Sequence, residues 1–312
     1  MSTTISTVAI AGSGDISVYF AEELLRAGFG VTVLTRSIKE RLNALPGVVQ
    51  KVVDFASKSQ LVDAIGNVEA LISTILDYTD VFTAVNLTLI EACKESPRCR
   101  RFIPSEFIGD SRAYPEQPLF YANRGPVRVA LRAQDQLEST IICLGWLMDY
   151  IVPRKNRHMS DVGDKFHVNL ADGRFVVPGT GDDEVHLTAT RDLARAIACL
   201  LRAPRGSWEE YVYISGERTP ILRLVDRIRG KYGLGQDRVH HISLAQLETG
   251  HAEAKSGDER RTIEMQMFSV SGAASFDWGT VEAHREKYFK DMHFRTVEEV
   301  LDAVDNDPDV IV

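Results

Sequence analysis

The chain has 312 residues, of which 44% are hydrophobic and 26% are charged, and its net charge is −8. These values are typical of a globular protein with a substantial core, and the acidic balance argues against a partner with a nucleic-acid backbone. No apolar run approaches the roughly 18 residues of a membrane helix, and no leader pattern begins the chain, so we expect a cytosolic protein without a membrane partner.

Short apolar runs alternate with helical patterns over the first half of the chain. The apolar runs predict strands over 7–11, 31–34, 48–53, 70–75, 101–104 and 139–144. The helical patterns lie between them, over 18–26, 37–43, 57–65, 79–94 and 124–137. Near-continuous apolar strands separated by helices are typical of a parallel sheet that is covered on both faces. Right-handed crossovers then predict an α/β fold with a doubly wound parallel Rossmann sheet.

The regular alternation stops after residue 145. The runs 165–170 and 174–177 predict a β-hairpin, and the stretch 185–201 resembles the first domain again. We therefore predict a smaller α+β substrate lobe that is interleaved with the first domain. The predicted division is a nucleotide-binding domain over 1–150, re-entered at about 181–205, and a substrate lobe over 151–312.

The first predicted strand leads into a glycine turn. Gly12 and Gly14 occupy the first two positions of a G-x-G-x-x-G pattern, which make the tight turn and let the backbone approach a pyrophosphate. Ser17 stands at the third position, where a small residue still allows the helix to pack near the strand. Asp15 would repel a pyrophosphate unless its carboxylate points to solvent. The pattern predicts a dinucleotide site, and a Rossmann-like loop that binds nothing is the alternative.

The end of the second predicted strand bears on the choice of cofactor. Sites for NAD commonly carry Asp or Glu there, which accepts a hydrogen bond from the ribose 2′-hydroxyl. This chain instead has Leu34-Thr35-Arg36-Ser37, with Lys39 close by. Because a guanidinium suits the 2′-phosphate of NADP, the sequence favours NADP(H) over NAD, with Arg36 as the selecting residue.

Several motifs along nearly the whole chain resemble one known family. They are "VAIAGSGD", "VTVLTR", "ALISTI", "RFIPSEFIGD", "ANRGPVRVAL", "GWLMDYIVP" and "RDLARAIACLL". With them the chain resembles the NmrA-like and isoflavone reductase-like family of atypical short-chain dehydrogenases, and its fungal members most. The resemblance implies an NADP(H)-binding domain, with a substrate lobe over the carboxyl ends of the strands.

The resemblance also implies which residues line the cofactor. They are Gly12, Ser13, Gly14, Asp15 and Ile16 at the pyrophosphate, Arg36 at the 2′-phosphate, Asp54 at the adenine, Ser73, Thr74 and Ile75 at the ribose, and Pro104, Ser105, Glu106 and Phe107 at the nicotinamide. Other roles stay open for some of them. Asp54 could cap a helix, and Ser73 and Thr74 could form turns at the end of a strand.

The chain departs from the family at one chemically important position. Reductases of the family carry a lysine early in the helix after the fifth strand, in a pattern like K-x-x-[IV]-R. The matching stretch begins with Arg124 here, and the Y-x-x-x-K pattern of other short-chain dehydrogenases finds Phe120, with Tyr121 one place away. Because arginine stays protonated, Arg124 cannot be a general base. It can hold a phosphate, bind a carboxylate or enolate, or stabilise a developing negative charge.

A proton donor must therefore come from another residue, if the chain is an enzyme. The candidates are Tyr121, Tyr150, Lys155 and His158, and loops that leave strand ends commonly carry such groups. Trp146, Met148 and Tyr150 suit an apolar, planar substrate. The alternatives are core packing for Trp146 and surface positions for Lys155 and His158.

We favour an NADPH-dependent reductase of a small aromatic or unsaturated carbonyl-type metabolite, acting as a monomer or homodimer. A redox-neutral cyclase or isomerase on the same scaffold and an NADP-sensing regulator that binds a partner protein remain open, because the family lysine is missing. No metal is expected, since none of the four cysteines forms a C-x-x-C pair and no histidines stand at ligand spacing around them.

Overall fold

The computed structural model describes residues 5–117 and 123–312. Its main sheet consists of β1 (Thr7–Ala11), β2 (Gly30–Thr35), β3 (Val48–Val52), β4 (Ala70–Ser73), β5 (Arg101–Ile103) and β6 (Glu138–Ser139). These strands are all parallel and lie in the order β3-β2-β1-β4-β5-β6. The order reverses between β1 and β4, and ligands of doubly wound sheets bind in the crevice at such a point.

Helices cover both faces of this sheet. In chain order they begin with α1 (Asp15–Arg26), α2 (Glu40–Asn43), α3 (Lys58–Ile65), α4 (Asp80–Glu95) and α5 (Gly125–Arg132). Alternate residues of β1 show the two faces: Val8 and Ile10 lie in a core with α1, whereas Ala9 and Ala11 lie in a second core with α3 and α4. The predicted doubly wound α/β sheet is therefore confirmed.

Some predicted elements are shorter or divided. The run 139–144 is split, because Glu138–Ser139 pairs with β5 whereas β7 (Ile141–Cys143) pairs in parallel with β12 (Tyr211–Tyr213). The helix predicted over 37–43 begins only at Glu40. The Gln50 side chain bonds both the amide and the carbonyl of Lys39, at 2.9 and 3.0 Å, and so holds Lys39 extended.

The remaining strands form smaller sheets beside the main one. They are β8 (Trp146–Leu147), β9 (Val168–Asn169), β10 (Arg174–Pro178), β11 (Glu184–Thr188), β13 (Glu217–Pro220) and β14 (Val239–Ile242). The predicted hairpin is the antiparallel pair β9 and β10. A separate core surrounds these strands and includes Phe166, Phe175 and Leu187, all of them buried.

The later helices complete both parts of the molecule. They are α6 (Thr190–Arg202), α7 (Ile221–Lys231), α8 (Leu244–Glu253), α9 (Gly257–Val270), α10 (Trp278–Tyr288) and α11 (Val297–Asn306). Helix α6 packs on α1, in the core beneath the main sheet. Within residues 5–117 and 123–312, none of the helices combines the length and apolar character needed to cross a bilayer.

Candidate cofactor and substrate site

The glycine turn after β1 is built by two glycines with different surroundings. Gly12 has a φ of 115°, and a Cβ there would lie 2.5 Å from Thr74 Oγ1, so both the backbone and the space require glycine. A Cβ at Gly14 would meet no atom within 4 Å. Thr74 Oγ1 and its amide bond the carbonyl of Ala11 at 3.0 and 2.8 Å, which joins β1 to β4. The turn therefore leaves open space at Gly14, at the switch point of the sheet.

Ser17 lies in the first turn of α1, at the position where the G-x-G-x-x-G pattern has its third glycine. Its side chain is fully buried, and its hydroxyl donates to the carbonyl of Gly14 at 2.5 Å. The serine therefore packs beneath the turn and ties the first turn of α1 to it. The amides at the start of α1 stay available to an anion.

Asp15, the first residue of α1, does not turn its carboxylate into bulk solvent. Its Oδ1 accepts from Arg41 Nη1 at 2.7 Å, and its Oδ2 accepts from the amide of Ser160 at 2.8 Å. Arg41 Nη2 also donates to the carbonyl of Ser13 at 3.2 Å. Although burial would raise the pKa of Asp15, the hydrogen bonds from Ser160 and Arg41 hold it below its ordinary value.

Sequence reasoning missed both partners of Asp15. Arg41 is a cation in the short helix after β2, and its distance of 26 residues from Asp15 gives no local periodic signal. Ser160 lies 145 residues away, in the second half of the chain. Such contacts follow from the tertiary arrangement and leave no pattern in the sequence.

Arg36 directly follows β2 and is exposed. Before it, the hydroxyl of Thr35 lies 2.8 Å from that of Ser13 and donates to the carbonyl of Ser37 at 2.7 Å, so the end of β2 is fixed to the glycine turn. Among the described residues no carboxylate pairs with Arg36, and no acid stands at the end of β2. This guanidinium is therefore available to an anion beside the turn.

The residues predicted at the adenine and ribose lie at the ends of β3 and β4. Asp54 Oδ1 accepts from the amide of Ala56 at 2.9 Å, so this side chain shapes the turn before α3, whereas Ser57 caps that helix. Ser73 and Thr74 are buried, whereas Ile16 and Ile75 are half-buried. Their contacts with a cofactor stay a prediction.

Glu106, which the resemblance places at the nicotinamide, forms a buried ion pair. Its Oε2 accepts from Arg128 Nη1 at 2.7 Å, which joins the segment after β5 to α5, and its contact with a cofactor stays a prediction. Burial raises the pKa of Glu106, although Arg128 and Arg124 oppose this. Of its neighbours, Pro104 is buried, Ser105 is half-buried and Phe107 packs edge-on against Phe20 at 5.4 Å.

Arg124 directly precedes Gly125, the first residue of α5, and Pro126 fits the first turn of that helix. The side chain is buried, its guanidinium lies over the ring of Phe82 at 4.4 Å, and Nη1 donates to Asn123 Oδ1 at 3.2 Å. Its positive charge acts on two neighbours, Glu106 and Tyr78. Arg124 therefore brings a fixed charge to the interior side of the site.

The phenol of Tyr78 lies close to this charge, and the phenol of Tyr150 interacts with that of Tyr78. Burial raises the pKa of Tyr78, while Arg124 and Arg261 act to lower it, and the guanidinium of Arg261 lies over its ring at 5.2 Å. Burial also raises the pKa of Tyr150, with smaller effects from several neighbours that include Tyr78 and Asp15. The hydroxyl of Tyr150 has no hydrogen-bond partner among the described residues. Sequence reasoning missed Tyr78, which stands in the loop that leaves the carboxyl end of β4.

Two residues predicted to line the substrate belong to the core. Trp146 donates from Nε1 to Ser269 Oγ at 3.0 Å and packs against Phe166 and Phe268, with ring centroids 5.2 and 5.5 Å apart. Met148 is completely buried in the same core. Trp146 therefore follows the core-packing alternative, and Met148, which comes directly after β8, packs in the same core. A contact of either residue with a substrate stays a prediction.

The remaining proton-donor candidates lie in different places. Lys155 is exposed and its only ion partner among the described residues is the exposed Asp309, at 3.9 Å, so it takes the surface position given as the alternative. His158 is held on α1, where its Nε2 lies 2.9 Å from Glu22 Oε1 and its amide donates to the hydroxyl of Tyr19 at 2.9 Å. Tyr121 lies outside the described residues.

No group of three or more His, Cys, Asp or Glu side chains within residues 5–117 and 123–312 is arranged to hold a metal ion.

Known proteins share both the sequence and the fold. The model of the NmrA-like family matches residues 4–242. Oxidoreductase swnR of Metarhizium robertsii is 43% identical over 98% of this chain and 99% of its own, and that of Arthroderma benhamiae is 40% identical over the same shares. The isoflavone reductase-like resemblance is confirmed in the fold.

Two solved structures have a fold similar to that of this chain. AtPrR2 with NADP+ and (+)pinoresinol has a TM-score of 0.76 at 18% identity, and covers 97% of this chain and 99% of its own. An isoflavone reductase has a TM-score of 0.73 at 17% identity, with 96% and 99% covered. The chain therefore belongs to the NmrA-like family, and it is an oxidoreductase of that family.

Proposed function

We propose that the chain is an NADPH-dependent reductase of a small aromatic or unsaturated carbonyl-type metabolite. The observation that carries the proposal is Arg36, an exposed residue at the end of β2, where Thr35 ties the strand to an open glycine turn and no acid stands to bind a 2′-hydroxyl. The fold neighbour AtPrR2, which was solved with NADP+ and an aromatic ligand, is consistent with both parts of it.

The residues present fit a dinucleotide phosphate. The free space at Gly14 leaves room for a pyrophosphate against the helix-start amides, and Arg36 would bind the 2′-phosphate. The charge of Asp15 is already matched by Arg41, which removes the objection that an acid in this loop raises. When bound, the cofactor supplies a hydride, and the protein supplies position and electrostatic environment.

Tyr150 is the proton donor that this geometry favours. Its phenol is almost fully buried and keeps its proton at neutral pH, because burial raises its pKa. A protonated phenol without a hydrogen-bond partner in the described part of the chain can donate to the oxygen of a bound carbonyl. As the carbonyl carbon gains hydride, its oxygen gains negative charge and takes the phenolic proton, which solvent then replaces. Arg124 stays positive and stabilises that developing charge.

The test follows NADPH oxidation at 340 nm with a panel of aromatic enones and quinones. We expect turnover of at least one compound, and we expect Tyr150→Phe to lower kcat by roughly 10²-fold or more with the affinity for NADPH unchanged. Tyr288→Phe is the matched control, because Tyr288 is a half-buried tyrosine whose hydroxyl donates to the carbonyl of Ser207 at 2.6 Å. The control should keep full activity.

Other results would contradict the proposal in distinct ways. NADPH binding without oxidation of any compound would favour the sensing role. Product formed without loss of NADPH would favour a redox-neutral reaction. An equal loss of activity in Tyr150→Phe and Tyr288→Phe would remove Tyr150 from the chemistry.

A further inference from the structure

Asp15 is an acid inside a phosphate-binding turn, and its two carboxylate oxygens have different partners. Oδ1 pairs with Arg41 on the short helix α2, and Oδ2 accepts the amide of Ser160. The side chain is 24% exposed and that of Arg41 is 39% exposed, so the pair is only partly screened by water. One side chain thus connects the cofactor turn to a distant part of the chain.

Ser160 belongs to the segment 152–162, which begins directly after the turn that carries Tyr150. Other contacts hold this segment without the cofactor turn. Asn156 donates to the carbonyls of Pro308 and Val310 at 2.8 and 3.0 Å, and His158 donates to Tyr19 in the middle of α1. The hydrogen bond from the Ser160 amide to Asp15 ties this segment to the cofactor turn, because Asp15 is the first residue after Gly14. Loss of this hydrogen bond would therefore release Ser160 from the turn, while Asn156 and His158 still hold the rest of the segment.

We propose that Asp15 is a positioning residue that couples the cofactor turn to the segment 152–162, with Arg41 as its counter-charge. The inference rests on the proposed function, since it assumes that phosphates bind at the turn. A phosphate that orders the turn also fixes the Asp15 carboxylate, and with it the amide of Ser160. Such coupling is reciprocal, so a held segment favours the cofactor by the same factor.

Arg41 has a specific part in this arrangement. A carboxylate next to a pyrophosphate opposes binding, whereas a carboxylate paired with a guanidinium does not. If Arg41 acts as this counter-charge, the loss of cofactor affinity caused by replacing Arg41 must depend on the presence of the Asp15 carboxylate. A direct contact between Arg41 and a cofactor phosphate would instead give the same effect with or without Asp15.

Hydrogen–deuterium exchange of the full chain, followed by mass spectrometry of peptides that cover 158–162, measures the coupling without any substrate. The amide of Ser160 donates to Asp15 and exchanges faster when this bond opens. We expect NADPH to slow exchange there in the wild type by roughly fivefold. Asp15→Ala should remove the protection while NADPH still binds, and Asp15→Asn should retain it, because an amide oxygen still accepts from Ser160. Asp63→Ala, on the exposed face of α3, is the control for lost charge.

A double-mutant cycle, measured by calorimetric titration of NADPH, tests the counter-charge. Arg41→Ala should weaken NADPH binding by roughly tenfold when Asp15 is present, and by less than about twofold in the Asp15→Asn background. Equal losses in both backgrounds would overturn the role of Arg41. Equal NADPH protection in wild type and Asp15→Ala would overturn the coupling while the proposed function stands. A wild type that fails to bind NADPH would overturn both.

Discussion

Gly12 and Gly14 are separated by one residue, yet the structure constrains them in opposite ways. Gly12 combines a left-handed φ with a close approach to Thr74, so any side chain there strains the backbone and collides with β4. Gly14 has an ordinary φ of −76° and open space around it. The fold therefore requires the first glycine, whereas the second leaves open space that the proposed cofactor would occupy.

This contrast predicts different results for two alanine substitutions. Gly12→Ala should destabilise the protein by about 1–3 kcal/mol, since it adds both strain and a clash. Gly14→Ala should leave the thermal midpoint nearly unchanged but weaken NADPH binding, because its methyl group occupies the space a pyrophosphate needs. Thermal denaturation and calorimetric titration of both variants check this. A Gly14→Ala variant that binds NADPH normally would place the phosphates elsewhere.

At the scale of elements, ion pairs join helices that the sequence could only place separately. Glu106 and Arg128 link the end of β5 to α5, and Glu22 and Glu23 on α1 pair with Arg191 on α6 at 2.8 and 2.6 Å. The resemblance places Glu106 near the nicotinamide through the family motif RFIPSEFIGD. Its burial against Arg128 depends on how α5 packs, which a linear pattern does not express.

The contact between α1 and α6 predicts a dependence of stability on acid pH. Burial would raise the pKa of Glu22, but the hydrogen bonds from His158 and Arg191 lower it from its ordinary 4.5 to about 2. Because the folded state lowers this pKa, the stabilisation is complete above about pH 4.5 and is lost as the pH falls towards 2.

Replacement of Glu22 by Gln should therefore flatten the fall of the unfolding free energy between pH 4.5 and 2. Urea denaturation of both proteins across this window measures it. The same substitution at Glu91, a surface residue of α4, is the control. Parallel curves for wild type and Glu22→Gln would show that this carboxylate does not drive acid unfolding.

At the scale of the whole molecule, the main sheet could be predicted from the sequence and the substrate lobe only in part. Strands such as β1 and β2 are short apolar runs next to turn residues, and their signals are local. In the lobe, β10 pairs with β14 and β8 with β11, over separations that leave no periodic pattern. Trp146 and Met148 therefore suited a substrate surface in the sequence, although they belong to a core. Tyr78 was missed because its contact with Arg261 on α9 joins distant parts of the chain.

The proposed function depends on the binding of the 2′-phosphate of NADPH by Arg36. Calorimetric titration of the wild type and of Arg36→Ala with NADPH and NADH tests it most directly. We predict that the wild type binds NADPH at least about tenfold more tightly than NADH, because a charge-assisted bond contributes roughly 1.5–3 kcal/mol, and that Arg36→Ala loses this preference. Equal affinities of the wild type for both cofactors, or an unchanged ratio in the variant, would contradict it.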